Sequence, residues 1–378
     1  MKKVMIGLSG GVDSAIAAYL LKQSGYEVHG CFMRNWDAFA SGDLKGNPTL
    51  NQDICPQEQD YLDALKVAEV LDIPLHRVDF YKEYWDEVFK RFLSEYEKGR
   101  TPNPDILCNR YIKFDSFRKY ASSLGFDTIA MGHYALRKDE NNIAYLYKAK
   151  DLNKDQTYFL SQITKEQLAS CLFPLGNMLK SEVRELALKL NLTSVATKKD
   201  STGICFIGER NFKEFLKNYL PSKRGDIVDI NSGKILGKHD GVLYYTLGQR
   251  RGLGIGGIHD LPSGSWFVVS KNVKNNILYV AQGDENKYLL SDKALITNIN
   301  WLSDKDDLPK DIGIKFRYRQ KDHMGTYEIL ENGDVLLHYA PYKAVTPGQA
   351  AVFYDGDKML GGGTIEKVYM EGKEKHLF

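Results

Sequence analysis

Residues with reactive or anion-binding side chains are concentrated in three short segments. The first, SGGVDS (residues 9–14), places two glycines, an aspartate and two serines between the apolar run VMIGL and the helical pattern AIAAYLLKQ. The other two, GRTPNPDILCN and KKDSTGICFIGERNF, each carry one cysteine in polar surroundings, Cys108 and Cys205. These residue types support anion binding at a glycine-rich turn and sulfur chemistry at the two thiols.

The segment SGGVDS is typical of a phosphate cradle, since a strand precedes it and a helix follows. Gly10 and Gly11 let the backbone approach an anion closely, and the serine hydroxyls can donate to its oxygens. The segment lacks the lysine of a Walker loop and the G-x-G-x-x-G pattern of dinucleotide-binding turns. It resembles instead the pyrophosphate loop (PP-loop) of the ATP pyrophosphatases, which split ATP between its α and β phosphates. A tight capped turn without a ligand is the alternative.

The five cysteines argue against a disulfide framework, because their number is odd and no CxxC pair occurs. Asp105 and Cys108 are three residues apart, so a helix starting there would place both on one face. Cys31 and Cys171 have apolar neighbours and are predicted to be buried. Cys55, in a polar segment, leaves open a metal or iron–sulfur cluster held with Cys108 and Cys205.

Composition indicates an ordinary globular protein of two or three domains. The chain has 378 residues, 43% of them hydrophobic, and a formal net charge of +2. A nucleic-acid surface would therefore need local clusters of basic residues. No apolar stretch approaches the roughly 20 residues of a membrane span, and the apolar run at the N-terminus is too short for a secretory signal. We expect a soluble, cytoplasmic protein without a membrane partner.

The first 135 residues or so alternate strand-like and helix-like patterns, which favours a parallel sheet with helices on both faces. In such a sheet ligands bind at the carboxyl ends of the strands. Residues 37–56 are polar and are predicted to form a loop over that edge.

Short strands predominate towards the C-terminus. From about residue 265 the pattern predicts an antiparallel barrel or sandwich, with hairpin signals at ENGD and YDGD. The segment FRYRQK is predicted to be a strand with outward arginines.

Seven segments in order carry a closer resemblance: GLSGGVDS, GRTPNPDILCN, MGHYA, KDQTYFLSQ, DSTGICFIGERNF, LGQRRGLGIGG and TPGQAAVFY. Together they resemble the bacterial tRNA-specific 2-thiouridylases over the whole chain. The resemblance implies an α/β fold: a Rossmann-like parallel-sheet PP-loop domain (residues 1–206), a small central tRNA-contact domain (207–264) and a C-terminal antiparallel β-barrel (265–378).

The resemblance also implies an activity, a tRNA-uridine 2-sulfurtransferase that cleaves ATP to AMP and pyrophosphate. ATP would adenylate the C2 oxygen of the wobble uridine. Cys205 would carry a persulfide and Cys108 would act as the nucleophile, so that the two could end as a disulfide. Asp105 would be the general acid or base. ATP would act with Mg²⁺ placed by Asp13, and neither a permanently bound cofactor nor a protein metal site is expected.

Further residues are implied by position in the matching segments. The ATP-binding residues are Gly7, Leu8, Ser9, Gly10, Gly11, Val12, Asp13, Ser14, Met33 and Gly132. The tRNA-binding residues are Asn103, Pro104, Asp105, His133, Lys154, Asp155, Gln156, Arg317, Tyr318 and Gln349. The implied partners are tRNA, with the lysine, glutamate and glutamine acceptors expected, and a persulfide-donating protein such as a cysteine desulfurase or a sulfur relay protein.

Two other functions remain open at this point. One is an ATP pyrophosphatase that adenylates a small metabolite. The other is a non-catalytic tRNA-binding module with a relic loop. Whether free sulfide or a bound persulfide attacks the uracil also remains open.

Overall fold

The computed structural model describes residues 2–50, 54–200, 203–204, 207–208, 210–221, 223–255 and 264–375. The strands are β1 (Lys3–Gly7), β2 (Glu27–Arg34), β3 (Leu75–Asp79), β4 (Ile129–Ala130), β5 (Leu136–Glu140), β6 (Ile143–Tyr147), β7 (Cys171–Leu172), β8 (Gly225–Asp229), β9 (Ile235–His239), β10 (Trp266–Asn272), β11 (Ile277–Gln282), β12 (Leu290–Trp301), β13 (Asp311–Lys315), β14 (His323–Ile329), β15 (Val335–Lys343), β16 (Ala350–Asp355), β17 (Lys358–Met370) and β18 (Lys373–Glu374). The helices are α1 (Val12–Gln23), α2 (Pro56–Leu71), α3 (Tyr81–Tyr84), α4 (Lys90–Glu97), α5 (Pro104–Cys108), α6 (Phe117–Ser123), α7 (Lys165–Ala169), α8 (Lys180–Lys189), α9 (Thr193–Ala196) and α10 (Phe212–Leu216). Two π-helical segments (Trp85–Phe89 and Asn109–Ser116) and three 3₁₀ turns (Thr157–Leu160, Val242–Tyr244 and Lys305–Asp307) complete them.

The N-terminal part folds around a five-stranded parallel sheet of order β3-β2-β1-β4-β7. Alternate residues of β1 point to opposite faces, so Val4 and Ile6 join one apolar cluster and Met5 joins the other. Helices α1, α2 and α8 cover the first face, and the segments from α3 to α6 cover the second. The predicted α/β sheet is confirmed.

The strand order reverses between β1 and β4, because the chain first runs outward through β2 and β3 and then returns. Such a topological switch point opens a crevice at the carboxyl ends of the two central strands. The turn that follows β1 contains the SGGVDS segment, which therefore lies at this crevice.

A four-stranded sheet of order β10-β11-β8-β9 forms the small central unit. Its strand β11 pairs in parallel with β8, which lies about 50 residues earlier in the chain. The prediction that the barrel begins at residue 265 is therefore wrong for β10 and β11, because both strands belong to this sheet.

The C-terminal barrel closes through six antiparallel strands in the order β12-β15-β14-β13-β16-β17, and β17 pairs back with β12. The hairpin of β5 and β6, from the N-terminal part of the chain, extends this sheet beyond β17. The predicted strand at FRYRQK is wrong: β13 ends at Lys315, and residues 316–322 form bends and a turn that lead into β14. No helix in the described part of the chain is long and apolar enough to cross a membrane.

Candidate active site

The PP-loop, residues 9–14, comprises the turn after β1 and the first residues of α1. Ser9 donates from its backbone N–H to Ser14 Oγ at 3.1 Å, and Ser14 Oγ donates to the Gly11 carbonyl at 3.0 Å. Gly10 has φ +71°, and a Cβ on it would lie 2.1 Å from the Asp60 carbonyl oxygen. Only glycine fits at this position, because both its backbone conformation and its distance from α2 exclude a side chain.

The N-terminus of α1 faces this loop. Gly11 is its N-cap residue and supplies no side-chain hydrogen bond to the first turn. The first backbone N–H groups of a helix have no partner within the helix, and together with the helix dipole they attract an anion. The N-terminus of the twelve-residue helix α1 is therefore suited to bind an anion at the loop.

Residues from three neighbouring strands meet beside the loop. A Cβ on Gly7 would lie 3.0 Å from atoms of both Met33 and Met131, and a Cβ on Gly132 would lie 2.9 Å from the Ser14 backbone nitrogen. The predicted adenosine-contact positions, Met33 and Gly132, thus lie at the same edge of the sheet as the loop. Their contact with adenosine stays a prediction.

Two lysines distant in sequence supply the positive charge that the loop lacks. Lys180, the first residue of α8, places Nζ at 2.7 and 2.8 Å from the two carboxylate oxygens of Asp13. Lys198 donates to the Gly10 carbonyl at 3.1 Å and to Asp60 Oδ1 at 2.6 Å. Tyr134 donates its hydroxyl to Asp13 Oδ1 at 2.8 Å.

Sequence reasoning missed these roles of Lys180 and Tyr134 and noted Lys198 only as a neighbour of Cys205. Lys180 is 167 residues from Asp13, and Lys198 is 188 residues from Gly10. The one local signal was that Lys180 opens a helical pattern immediately after the turn PLGNML.

Asp105 and Cys108 both lie on helix α5, which begins at Pro104. The Asn103 side chain accepts from the backbone N–H of Asp105 at 3.1 Å and of Ile106 at 3.3 Å, and Pro104 occupies the first turn. Asp105 is half-buried and Cys108 is fully buried within an apolar cluster. A π-helical segment follows Cys108, a deviation that is frequent at functional sites.

Cys205, the predicted persulfide carrier, lies outside the described residues. Two anchors flank it in sequence. Upstream, Lys198 contacts the PP-loop as described above. Downstream, Arg210 Nε lies 3.0 Å from Asp43 Oδ2 in a buried ion pair, which ties the start of α10 to the polar loop after β2. The described residues on either side of Cys205 are therefore attached to the PP-loop through Lys198 and to the polar loop after β2 through Arg210.

The other cysteines are located as follows. Cys31 and Cys171 are fully buried, as predicted, and burial raises the pKa of both thiols, that of Cys31 to about 12. Neither is a thiolate near neutral pH, so neither is suited to sulfur chemistry. Cys55 is exposed and precedes α2.

Three of the predicted tRNA-contact residues, Tyr318, Gln349 and Asp155, lie at the seam between the parallel-sheet domain and the barrel. Tyr318 packs its ring 4.4 Å from that of Phe159, and Gln349 Nε2 donates to the Thr101 carbonyl at 2.7 Å. Asp155 is buried, with Oδ2 at 3.5 Å from Lys315 Nζ. The structure thus brings the N-terminal and barrel candidates together, and their contact with RNA stays a prediction.

His133 and Gln156 have their contacts within the parallel-sheet domain, where His133 packs on Phe114 and Phe173. His133 is buried, its Nδ1 has no hydrogen-bond partner among the described residues, and burial together with Lys113 lowers its pKa well below the usual 6.5. Gln156 Oε1 accepts from the Tyr134 backbone N–H at 2.9 Å. The imidazole of His133 is therefore neutral near pH 7.

Comparison with protein families divides the chain into three regions. A family described as the tRNA methyl transferase HUP domain matches residues 2–209, the tRNA methyl transferase PRC-barrel domain matches residues 213–282, and the aminomethyltransferase beta-barrel domain matches residues 291–365.

Among curated proteins, the tRNA-specific 2-thiouridylase MnmA of Mycoplasmopsis synoviae (strain 53) is 54% identical over 99% of this chain and 98% of its own length. The protein of the same name from Mycoplasma capricolum subsp. capricolum is 55% identical over 97% of this chain and 99% of its own. Among solved structures, a 4-thiouridine synthetase in complex with RNA and ATP shows a weak likeness, with 14% identity and a TM-score of 0.33 over 55% of this chain and 46% of its own.

Proposed function

The chain belongs to the tRNA-specific 2-thiouridylase family, and we propose that it replaces the C2 oxygen of the wobble uridine of tRNA with sulfur in an ATP-dependent reaction. The observation that carries the proposal is identity of more than half over nearly the full length of both chains. The geometry of the PP-loop supports it, because an uncapped helix N-terminus faces the crevice at the switch point of the sheet.

In the first step the uracil C2 oxygen attacks the α-phosphorus of ATP. A C2–O–P bond forms, the bond from the α-phosphorus to the bridging oxygen breaks, and pyrophosphate leaves. Asp13 is suited to hold Mg²⁺, since Mg²⁺ is usually bound by one or two carboxylates together with substrate phosphates. When bound, Mg²⁺ would neutralise the charge of the phosphates.

In the second step sulfur replaces AMP at C2. The Cys108 thiolate attacks the Cys205 sulfur of the persulfide, which releases sulfide and forms a disulfide between the two residues. Sulfide then attacks C2, and AMP departs with the original uracil oxygen. A thiol reductant restores both cysteines. Alternatively the outer sulfur of the Cys205 persulfide attacks C2 and AMP departs; Cys108 then attacks the Cys205 sulfur, which breaks the bond to the transferred sulfur, leaves that sulfur on C2 and forms the disulfide. Asp105 would move the proton of the uracil ring.

Further parts of the proposal concern the partners. A wobble uridine can be reached only when it is unstacked, so the protein must grip the tRNA away from the reacting base. The persulfide would come from a cysteine desulfurase or a sulfur relay protein. The expected tRNAs are the lysine, glutamate and glutamine acceptors, and the expected location is the cytoplasm.

The test is mass spectrometry of wobble nucleosides after incubation of unmodified tRNA with the protein, ATP and a sulfur donor. Cys205→Ser and Cys108→Ser should abolish 2-thiouridine, whereas Cys55→Ser, a change at an exposed thiol, should leave it unchanged. Undiminished formation of 2-thiouridine by Cys205→Ser would remove that residue from the mechanism.

Iron and sulfide analysis of anaerobically purified protein tests the alternative that the cysteines hold an iron–sulfur cluster. Cluster-dependent turnover that is lost in Cys55→Ser would overturn the persulfide scheme.

A further inference from the structure

Three cationic side chains converge on one carboxylate next to the PP-loop. The carboxylate is that of Asp200, and its partners are Lys154 Nζ at 2.5 Å from Oδ2, Lys180 Nζ at 2.8 Å from Oδ1 and Arg184 Nη2 at 2.9 Å from Oδ1. Burial acts to raise the pKa of Asp200, but the hydrogen bonds from the two lysines outweigh it and lower the pKa to about 2. Asp200 is therefore ionised at all physiological pH values.

Lys180 connects this cluster to the phosphate cradle. Its side chain is only 11% exposed, and its ammonium group contacts both Asp200 and Asp13. The three cations contact the two carboxylates of Asp200 and Asp13, and a third carboxylate, that of Asp151, accepts from the Lys180 backbone N–H at 2.9 Å. The cluster lies beside the uncapped N-terminus of α1, which itself attracts anions.

This arrangement suits an anion that carries more charge and more acceptor oxygens than one carboxylate. Arginine and lysine side chains bind phosphate oxygens through charge-assisted hydrogen bonds. Asp200, Lys154 and Arg184 are each one-third exposed. Ion pairs with that exposure contribute little to stability, so a competing anion can displace the Asp200 carboxylate readily.

We propose that Lys154, Lys180 and Arg184 bind the pyrophosphate that leaves from ATP, and that the Asp200 carboxylate occupies this site when no nucleotide is bound. The inference rests on the proposed function. As the bond from the α-phosphorus to the bridging oxygen breaks, its electron pair stays on that oxygen. The ammonium group of Lys180 stabilises the new charge by hydrogen bonding, without proton or electron transfer.

Isothermal titration of the full chain with magnesium pyrophosphate tests the site. Lys180→Met should weaken binding at least about tenfold, because it removes a charged hydrogen-bond donor. Asp200→Asn should tighten binding about fivefold, because it removes the competing carboxylate. The control Asp304→Asn removes a carboxylate that pairs with the exposed Lys165 and should leave the affinity unchanged.

If Asp200 served only to attach its segment to α8, its replacement would not tighten the binding of pyrophosphate. Asp200→Asn would then bind pyrophosphate as the wild type does or more weakly, and the inference would be wrong. If Asp200→Asn fails to fold by urea unfolding, Arg184→Met takes its place, with an expected loss of about fivefold. Unchanged binding in that variant would also overturn the inference.

Two further outcomes distinguish this pyrophosphate site from an RNA phosphate site, and its failure from failure of the proposed function. Tighter tRNA binding by Asp200→Asn, with unchanged pyrophosphate affinity, would assign the cluster to an RNA phosphate and overturn the inference. Pyrophosphate binding requires neither tRNA nor the thiols. If the protein forms no 2-thiouridine but its variants show the predicted changes in pyrophosphate affinity, the proposed function is wrong and the pyrophosphate site is supported.

Discussion

Gln349 in the barrel donates from Nε2 to the backbone carbonyl of Thr101 at 2.7 Å. Thr101 lies two residues before Asn103, whose side chain caps the helix that carries Asp105 and Cys108. The barrel therefore fixes the start of the helix on which two of the proposed reacting groups are placed.

Gln349→Ala should lower kcat for thiolation about fivefold, the effect expected from losing one neutral hydrogen bond that positions a reacting group. The KM for tRNA should change less than twofold, because the amide already contacts the protein backbone. Steady-state kinetics with varied tRNA measures both constants. An increase in KM at constant kcat would show instead that Gln349 acts by contacting RNA, the role first predicted from the sequence.

Gly10→Ala should lower the free energy of unfolding by about 2–4 kcal/mol, because the new methyl group meets the Asp60 carbonyl and the backbone has φ +71°. Urea unfolding measures this change. Gly11 provides the matched control, since its φ is −109° and a Cβ there would meet only Ser9 Oγ, at 3.5 Å.

Gly11→Ala should fold normally yet bind ATP at least about tenfold more weakly, because the backbone there must approach the phosphates closely. Equal stability of the two alanine variants would contradict the assigned geometry of the loop. Normal ATP affinity in Gly11→Ala would contradict the assignment of the phosphates to this turn.

Asp155→Ala should lower the free energy of unfolding by about 3 kcal/mol, because it removes the nearer of the two carboxylates that face the buried ammonium group of Lys315 in the described part of the chain and leaves Asp322, at 3.9 Å. Asp155 also accepts from the Thr157 hydroxyl at 2.9 Å. The Kd for tRNA, measured on the folded variant at low temperature, should change less than twofold. Wild-type stability with tenfold weaker tRNA binding would support the direct RNA contact predicted for Asp155.

The free energy of unfolding should decrease between pH 7 and pH 5.5 because of a pair of histidines. In this pair, His29 Nδ1 lies 3.0 Å from His76 Nε2. Burial and the neighbouring His29 lower the pKa of His76 below its usual 6.5. The unfolded chain therefore takes up the proton first as the pH falls, and the free energy of unfolding decreases below about pH 6.5. His76→Gln should show a shallower decrease in urea unfolding across this range. Parallel curves for the two proteins would contradict the role of this pair.

The parallel sheet and the PP-loop could be predicted because their signals are local. The run VMIGL, the glycine turn and the following helical pattern are contiguous, and alternate apolar residues fix the faces of β1. The spacing of Asp105 and Cys108 gave only the condition that a helix there would place both on one face, and the helix itself is seen in the structure.

Pairings between distant segments could not be predicted. The pattern of short strands from about residue 265 predicts β10 and β11 but not the pairing of β11 with β8, so the prediction places both strands in the wrong sheet. The hairpin of β5 and β6 joins the barrel only through its contact with β17. The cations at the PP-loop could not be predicted for the same reason: Lys180 and Lys198 are distant from the loop in sequence and reach it only in the folded domain.

The fate of the uracil oxygen gives the most direct test of the central claim. Unmodified tRNA labelled with ¹⁸O at C2 of the wobble uridine is incubated with the protein, ATP and a persulfide donor, and the AMP is analysed by mass spectrometry. Adenylation at C2 predicts one ¹⁸O atom in AMP for each 2-thiouridine formed, and none in pyrophosphate. Unlabelled AMP accompanying full conversion to 2-thiouridine would contradict activation of the base by ATP.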